Sequence, residues 1–154
     1  ITCTPKFTNI PSGADYEIVD IIGNKKTRAK KEGYDIDKRI AFVANILNPH
    51  ISVHKGSFSD IKGRDISCLL VVNVLHFLEP DYVKTELKRL LQRNVVEYIV
   101  IDELRNTKGT EYNNEVDGKI LFEGHYELAY RSRRYKASNG AYRHVCVYKN
   151  VGEH

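Results

Sequence analysis

The sequence of 154 residues has no methionine, only three cysteines and no apolar run long enough to cross a membrane. A spanning helix needs about 20 apolar residues, whereas the longest apolar run, Cys68 to Leu75, has the length of a strand. No charged stretch followed by an apolar one marks a secretory signal at the start of the sequence. We therefore predict a cytoplasmic protein that does not enter a membrane.

The cysteines, Cys3, Cys68 and Cys146, are odd in number and far apart. A domain held together by disulfides carries a dense and even set, so we expect free thiols that serve as small buried side chains. The six histidines show no metal-ligand spacing with the cysteines or with each other. No metal site is predicted.

The composition, 42% hydrophobic and 29% charged, is that of a globular protein, and the length suits one domain that covers residues 1–154. The net charge of +4 is mildly basic, and acidic residues are interspersed throughout. This charge permits a nucleic-acid partner without favouring one.

Short apolar runs alternate with segments of helical period, which predicts parallel strands joined by crossover helices. The predicted strands are Tyr16–Ile22, Gly33–Ile36, Ile51–His54, Ile66–Val74 and Val95–Ile101. The run from Ile66 is the most apolar, so it is expected to be a central strand covered on both faces.

Two segments have an apolar face at helical spacing. The first follows Asp37, which is well placed to cap a helix, and the second begins near Pro80, a residue suited to a first helical turn. The two predicted core stripes are Ile40, Val43, Ala44 and Leu47 in the first helix, and Val83, Leu87, Leu90 and Leu91 in the second.

The C-terminal part has a different pattern. Tyr126–Lys136 and Ala141–Lys149 flank Ser138-Asn139-Gly140, and Asn-Gly favours a tight antiparallel hairpin. Its basic residues and tyrosines could contact phosphates and bases, but strand alternation more simply gives a solvated basic face opposite a packed one. These residues are Arg131, Arg133, Arg134, Lys136 and Arg143, with Tyr130, Tyr135 and Tyr142 between them.

This order of elements, from Tyr16 to Asn150, resembles the class I S-adenosylmethionine-dependent methyltransferases. The resemblance implies an α/β fold with a doubly wound, seven-stranded, mostly parallel sheet and an antiparallel C-terminal hairpin. S-adenosylmethionine would lie across the carboxyl ends of the strands, where such folds generally place ligands. A methyl group would pass to an oxygen or nitrogen of a small-molecule acceptor, without a metal. The oligomeric state stays open.

The segment GYDIDKRIAFVANIL, Gly33 to Leu47, resembles the second-strand motif of this family. The resemblance assigns Asp35 to the two ribose hydroxyls, since a carboxylate can accept two hydrogen bonds from a diol. Alternatively, Asp35 only ends a strand. In the segment HKGSFSDI, Ser57 and Phe58 match residues that reach the adenine, although Phe58 could equally be part of the core.

The segment NVLHFLEP, Asn73 to Pro80, resembles the fourth-strand motif, which holds the methionyl part of the cofactor and faces the acceptor. Asn73 is the predicted cofactor contact. His76 matches a histidine base of some O-methyltransferases, and imidazole suits that role because its ordinary pKa is near neutrality. Phe77-Leu78 replace the Asp-Trp of that subfamily, so His76 could instead contact the cofactor or pack.

Asp102-Glu103 follow the predicted fifth strand, where Asp102 could orient the acceptor. The alternative is a pair of solvated charges at the start of a helix or loop. Asp102 and Glu103 are at the carboxyl end of a predicted strand, and the carboxyl ends of the strands form the predicted ligand-binding edge.

The first-strand motif departs from the family pattern, which has a glycine-rich turn close to the cofactor. Only Asp20 and Gly23 can correspond, and the stretch from Asp20 to Asp35 is short for a turn and a crossover helix. Either part of this region is missing from the sequence, as the lack of methionine also suggests, or the cofactor site has degenerated. The alternative functions are an RNA or protein methyltransferase or, with a degenerate cofactor site, a non-catalytic methyltransferase-like binding module.

Overall fold

The computed structural model describes residues 31–47, 51–63, 65–72, 74–104, 114–136 and 140–152. The predicted first strand, Tyr16–Ile22, lies outside the described residues. The described strands form a parallel two-stranded sheet and a mixed five-stranded sheet. The mixed α/β architecture is thus confirmed, whereas a single seven-stranded sheet stays a prediction.

The two-stranded sheet consists of β1 (Lys31–Asp35) and β2 (Ile51–Lys55), joined through the helix α1 (Lys38–Leu47). β1 begins at Lys31 rather than at Gly33, because its parallel pairing with β2 already starts there. The side chain of Asp37 accepts a hydrogen bond from the backbone N–H of Arg39 at 2.8 Å. This contact confirms the predicted helix cap.

The five-stranded sheet has the order β3-β4-β7-β5, with the short strand β6 also paired to β7. β3 and β4 are parallel, and β7 is antiparallel to β4, β5 and β6. This arrangement confirms the antiparallel C-terminal hairpin. The strands are β3 (Asp65–Val71), β4 (Val95–Glu103), β5 (Tyr126–Arg131), β6 (Tyr135–Lys136) and β7 (Tyr142–Asn150).

The helix α2 (Pro80–Arg93) connects β3 to β4 and covers one face of the sheet. Glu79 accepts hydrogen bonds from the first-turn backbone, and Pro80 occupies that turn as predicted. Val83, Leu87 and Leu90 are fully or almost fully buried. The predicted core stripe of this helix is confirmed at these three residues, and Leu91 is partly buried against the same core. A short helix, α3 (Gly118–Leu121), follows β4.

The predicted core face of α1 was wrong for the described chain. Ile40, Val43 and Leu47 are 54%, 49% and 72% exposed, and Ala41 is the buried residue of the helix. Amphipathic spacing shows which side of a helix is apolar, but burial also requires an element that packs on that side. Within the described ranges, no such element covers these three side chains.

The predicted strand Ile66–Val74 is not covered on both faces in its first half, whereas its central position in the sheet stays a prediction. β3 ends at Val71 and pairs with β4 alone among the described strands. Its burial rises only toward Leu69 and Val71, near its carboxyl end. The apolar run therefore marks the end of β3 that lies next to the predicted ligand-binding edge.

Neither Cys68 nor Cys146 is part of a disulfide, and burial raises the pKa of Cys146 to about 12. Cys3 lies outside the described residues. None of the described helices is long and apolar enough to cross a membrane. The described residues contain no group of three or more potential metal ligands.

Candidate functional site

Three polar residues, His76, Asp102 and Arg143, meet at one edge of the five-stranded sheet. His76 lies in a 3₁₀ turn, Leu75–Phe77, that follows β3, and Asp102 lies near the carboxyl end of β4. Because β3 and β4 are parallel, their carboxyl ends share an edge. β7 is antiparallel to β4, so it starts at the same edge and brings Arg143 there.

Arg143 joins the other two side chains. Its Nη1 donates to Asp102 Oδ2 at 2.9 Å, and its Nη2 lies 2.8 Å from His76 Nε2. All three residues are at most 2% exposed. We call this group the edge cluster. Its ion pair balances one positive and one negative charge in a place that water does not reach.

The edge cluster determines the protonation of His76. A guanidinium has only donors, so His76 Nε2 must accept from Arg143. Burial and the positive charge of Arg143 lower the pKa of His76 to about 4, whereas the negative charge of Asp102 acts in the opposite direction. The imidazole is therefore neutral near pH 7, and its Nε2 lone pair is already used. This geometry favours the packing or contact role of His76, while the base role stays a prediction.

Asp102 and Glu103 are not the solvated loop charges of the alternative interpretation, which was wrong. Each is 1% exposed, because β4 continues through Glu103 and pairs with β7 to its end. Glu103 accepts from Arg131 Nη2 at 3.1 Å, from the Gly118 N–H at 2.9 Å and from the hydroxyl of Tyr148. Strand alternation thus places the two acids on opposite faces of the sheet.

The assignment of Arg143 to a solvated hairpin face was wrong as well. Arg143 pairs with Tyr135 across β6 and β7, and both side chains are buried. The hairpin does have a basic exposed surface, which includes Arg133 and Lys136. The guanidinium of Arg134 lies 4.4 Å from the ring centroid of Tyr142, and that ring is 50% exposed.

Asn114 is a contact of this site that the sequence did not single out. Its backbone N–H donates to the carbonyl of His76, and its Nδ2 donates to the carbonyl of Leu78, both at 2.8 Å. These bonds fasten the turn that carries His76 to the segment after β4. An asparagine within a long polar stretch gives no sequence signal for such a role.

Asp35 lies at the carboxyl end of β1, as the ribose prediction requires. Its Oδ1 accepts from the backbone N–H of Asp37 at 2.8 Å, which orients the half-buried carboxylate. Among the described residues, its Oδ2 has no hydrogen-bond donor. The carboxylate is therefore held at the strand end through its Oδ1, and the ribose contact itself stays a prediction.

Ser57 and Phe58 follow β2 beside Asp35. The Gly56 N–H donates to the carbonyl of Asp35 at 2.9 Å, and the Ser57 N–H donates to Asp60 at 2.7 Å. Phe58 is 3% exposed and packs in the core, which was the alternative interpretation of this residue. The adenine contacts of Ser57 and Phe58 stay predictions.

The remaining predicted cofactor residues, Asp20, Gly23 and Asn73, lie outside the described residues. Of the predicted cofactor contacts, the described residues thus include Asp35, Ser57 and Phe58.

No protein-family model matches the sequence, and no curated protein matches it at a significant level. Solved structures do match. An N-methyltransferase, NodS from Bradyrhizobium japonicum, in complex with S-adenosylhomocysteine, aligns at a TM-score of 0.64 and 12% identity. The alignment covers 79% of this chain and 66% of that chain. The fold is that of the class I methyltransferases. The sequence resemblance is thereby confirmed at the level of the fold.

Two further matches have the same fold. The 1,6-didemethyltoxoflavin-N1-methyltransferase of Burkholderia thailandensis, with 1,6-didemethyltoxoflavin and S-adenosylhomocysteine bound, aligns at a TM-score of 0.58 and 13% identity, over 80% of this chain and 62% of that one. A TehB-like methyltransferase from Corynebacterium glutamicum aligns at 0.52 and 19%, over 77% and 67%. The chain thus spans about two thirds of the length of these proteins.

Proposed function

We propose that the protein is an S-adenosylmethionine-dependent methyltransferase that acts on an oxygen or nitrogen of a small-molecule acceptor. The observation that carries this proposal is the position of Asp35. Its carboxylate lies at the carboxyl end of β1, in a fold whose matched structures include two with S-adenosylhomocysteine bound.

The described residues fit the cofactor at its ribose. The Asp37 N–H orients the Asp35 carboxylate, so the carboxylate can accept from a ribose hydroxyl with little further loss of rotational freedom. Ser57 would lie toward the adenine, whereas Phe58 packs in the core. Asp20, Gly23 and Asn73 complete the proposed contacts.

The chemistry needed from the protein is mainly positioning. Bound S-adenosylmethionine supplies a methyl group that is already activated by its positive sulfur. The chain must then hold an acceptor in line and keep water away. The turn that carries His76 suits this task because Asn114 fixes its backbone and Arg143 fixes its imidazole. Asp102 would act as the counter-ion of Arg143.

The preference for a small acceptor rests on the matched proteins. The Burkholderia enzyme holds 1,6-didemethyltoxoflavin, a small molecule, and NodS is described as an N-methyltransferase. Because fold alone does not determine the substrate, the acceptor has to be found by experiment.

Calorimetric titration with S-adenosylhomocysteine tests the cofactor site. Asp35→Asn keeps the hydrogen bond to the Asp37 N–H but removes the charge, so we expect a Kd about 10-fold to 100-fold weaker, equivalent to about 1.4–2.8 kcal/mol. Asp37→Asn is the matched control, since asparagine also caps helices well. Equal affinities in the two variants would argue against Asp35 as the ribose ligand.

An RNA methyltransferase is the second candidate, favoured by the exposed arginines of the hairpin and the stacked pair of Arg134 and Tyr142. For this candidate, a single-stranded RNA oligomer should bind in a salt-dependent manner, and binding should be lost in the variant Arg133→Ala/Arg134→Ala. Affinity for S-adenosylhomocysteine should be unchanged in that variant. A non-catalytic module would bind neither cofactor form.

A further inference from the structure

His76 and Arg143 are 67 residues apart in sequence, yet they form one of the most buried polar contacts of the described chain. The direction of this hydrogen bond is fixed by chemistry, because arginine has no acceptor. A neutral imidazole that accepts at Nε2 must carry its proton on Nδ1. The contact therefore selects one tautomer.

His76 Nδ1 is buried, and it has no hydrogen-bond partner among the described residues. A buried donor without a partner costs about 1–3 kcal/mol. The ring is nevertheless held in place: the Phe77 ring lies against it with centroids 4.0 Å apart, and Asn114 holds the backbone. A donor kept at this edge despite that cost is suited to an acceptor atom of a ligand.

We propose that Arg143 is a positioning residue, which holds His76 as the neutral Nδ1–H tautomer so that His76 donates a hydrogen bond to the methyl acceptor instead of removing its proton. The role toward the acceptor rests on the proposed function. The tautomer itself does not, because Arg143, Asp102 and His76 impose it in the protein alone.

The charged and titratable groups around His76 support a donor role. Arg143 faces it from β7 and cannot accept a proton, and Asp102 faces it from β4 but is already bound to Arg143. Tyr135 in β6 lies next to this ion pair, and burial raises its pKa above the ordinary value, which keeps its hydroxyl protonated. The edge cluster thus offers no free base at neutral pH.

This arrangement suits a nitrogen acceptor whose lone pair is available near pH 7. The nitrogen lone pair forms the new N–CH₃ bond while the S–CH₃ bond breaks and leaves its electron pair on sulfur. An acceptor N–H then releases its proton to solvent. A hydroxyl would need a base before it could react, whereas a carbonyl or ring nitrogen next to the reacting nitrogen can accept from His76 Nδ1–H.

Nitrogen-15 NMR of the imidazole rings in the free protein tests the tautomer, with His76→Gln to assign the signal. We expect a protonated Nδ1 and an unprotonated Nε2, with no titration between pH 5 and pH 8. A protonated Nε2, or a titration near the ordinary value of about 6.5, would overturn the proposal.

The variant Arg143→Met should release Nε2 and shift the titration of His76 upward, toward about 6.5. Because this change leaves Asp102 buried without its counter-ion, the double variant Asp102→Asn/Arg143→Met serves where the single one does not fold. An unchanged Nδ1–H signal in the folded double variant would show that Arg143 does not set the tautomer. Failure of S-adenosylhomocysteine to bind the wild-type protein would instead remove the proposed function and leave the tautomer assignment standing.

Discussion

Asp102 and Glu103 are neighbours in β4, but they belong to two different environments. Asp102 binds Arg143, which is 2% exposed, whereas the side chain of Glu103 binds that of Arg131, which is 35% exposed. One ion pair is sealed, and in the other the cation still reaches water. The comparison predicts that these two buried acids differ in energetics, because the cost of losing an acid depends on whether its arginine stays buried or can reach water.

The largest expected effect is that of Asp102→Asn. It leaves the Arg143 guanidinium buried without a counter-charge, which should lower the free energy of unfolding by about 3–5 kcal/mol. Urea denaturation measures this loss. The double variant Asp102→Asn/Arg143→Met should recover more than half of it, and no recovery would show that the buried cation is not the cause.

Glu103→Gln should cost less, about 1–3 kcal/mol. The glutamine oxygen can still accept from the Gly118 N–H and the Tyr148 hydroxyl, and Arg131 can turn toward water. The same denaturation experiment measures both substitutions. A loss as large as that of Asp102→Asn would break the distinction between the sealed pair and the open one.

Low pH should destabilise the protein through protonation of His76, which lies on the same side of the sheet as Asp102. The pKa of His76 is lowered to about 4 in the folded protein, from about 6.5 in the unfolded chain. The unfolded chain therefore binds more protons between these values, and stability should fall as the pH drops from about 6.5 toward 4. His76→Gln should flatten this slope, whereas His125→Gln, at an exposed histidine, should not.

The smallest effect is expected for Arg131→Lys. Arg131 is partly exposed and contacts one oxygen of Glu103 with one nitrogen, a task that an ammonium can also perform. We expect a loss below about 1 kcal/mol. Arg143→Lys should cost more, since a single ammonium cannot replace a fork that reaches both Asp102 and His76. Equal losses would contradict this difference.

The sequence predicted the local features of the fold well. Apolar runs located β2 and β4, the helical period located the buried stripe of α2, and Asp37 was recognised as a cap. Each of these depends on residues close together in sequence. The ends of the strands were less accurate, as in β1 and β4, because pairing with a neighbouring strand decides where a strand stops.

The candidate site was predicted only in part, since its contacts are long-range. His76 and Asp102 were singled out, but Arg143 was assigned to the surface. Arg143 binds Asp102, which is 41 residues away in sequence, so no local pattern indicates the contact. Strand alternation predicts which face of a strand a side chain lies on, but not which charged residue of another strand it contacts there. For the same reason, the apolar side of α1 could be recognised while its exposure could not.

The central claim is that this chain binds S-adenosylmethionine at the carboxyl edge of its sheets. Calorimetric titration of the wild-type protein with S-adenosylhomocysteine, beside Asp35→Asn and Asp37→Asn, tests it most directly. We predict saturable binding in the micromolar range that weakens about 10-fold or more in Asp35→Asn and is retained in Asp37→Asn. An absence of binding by the folded wild-type protein would contradict the account.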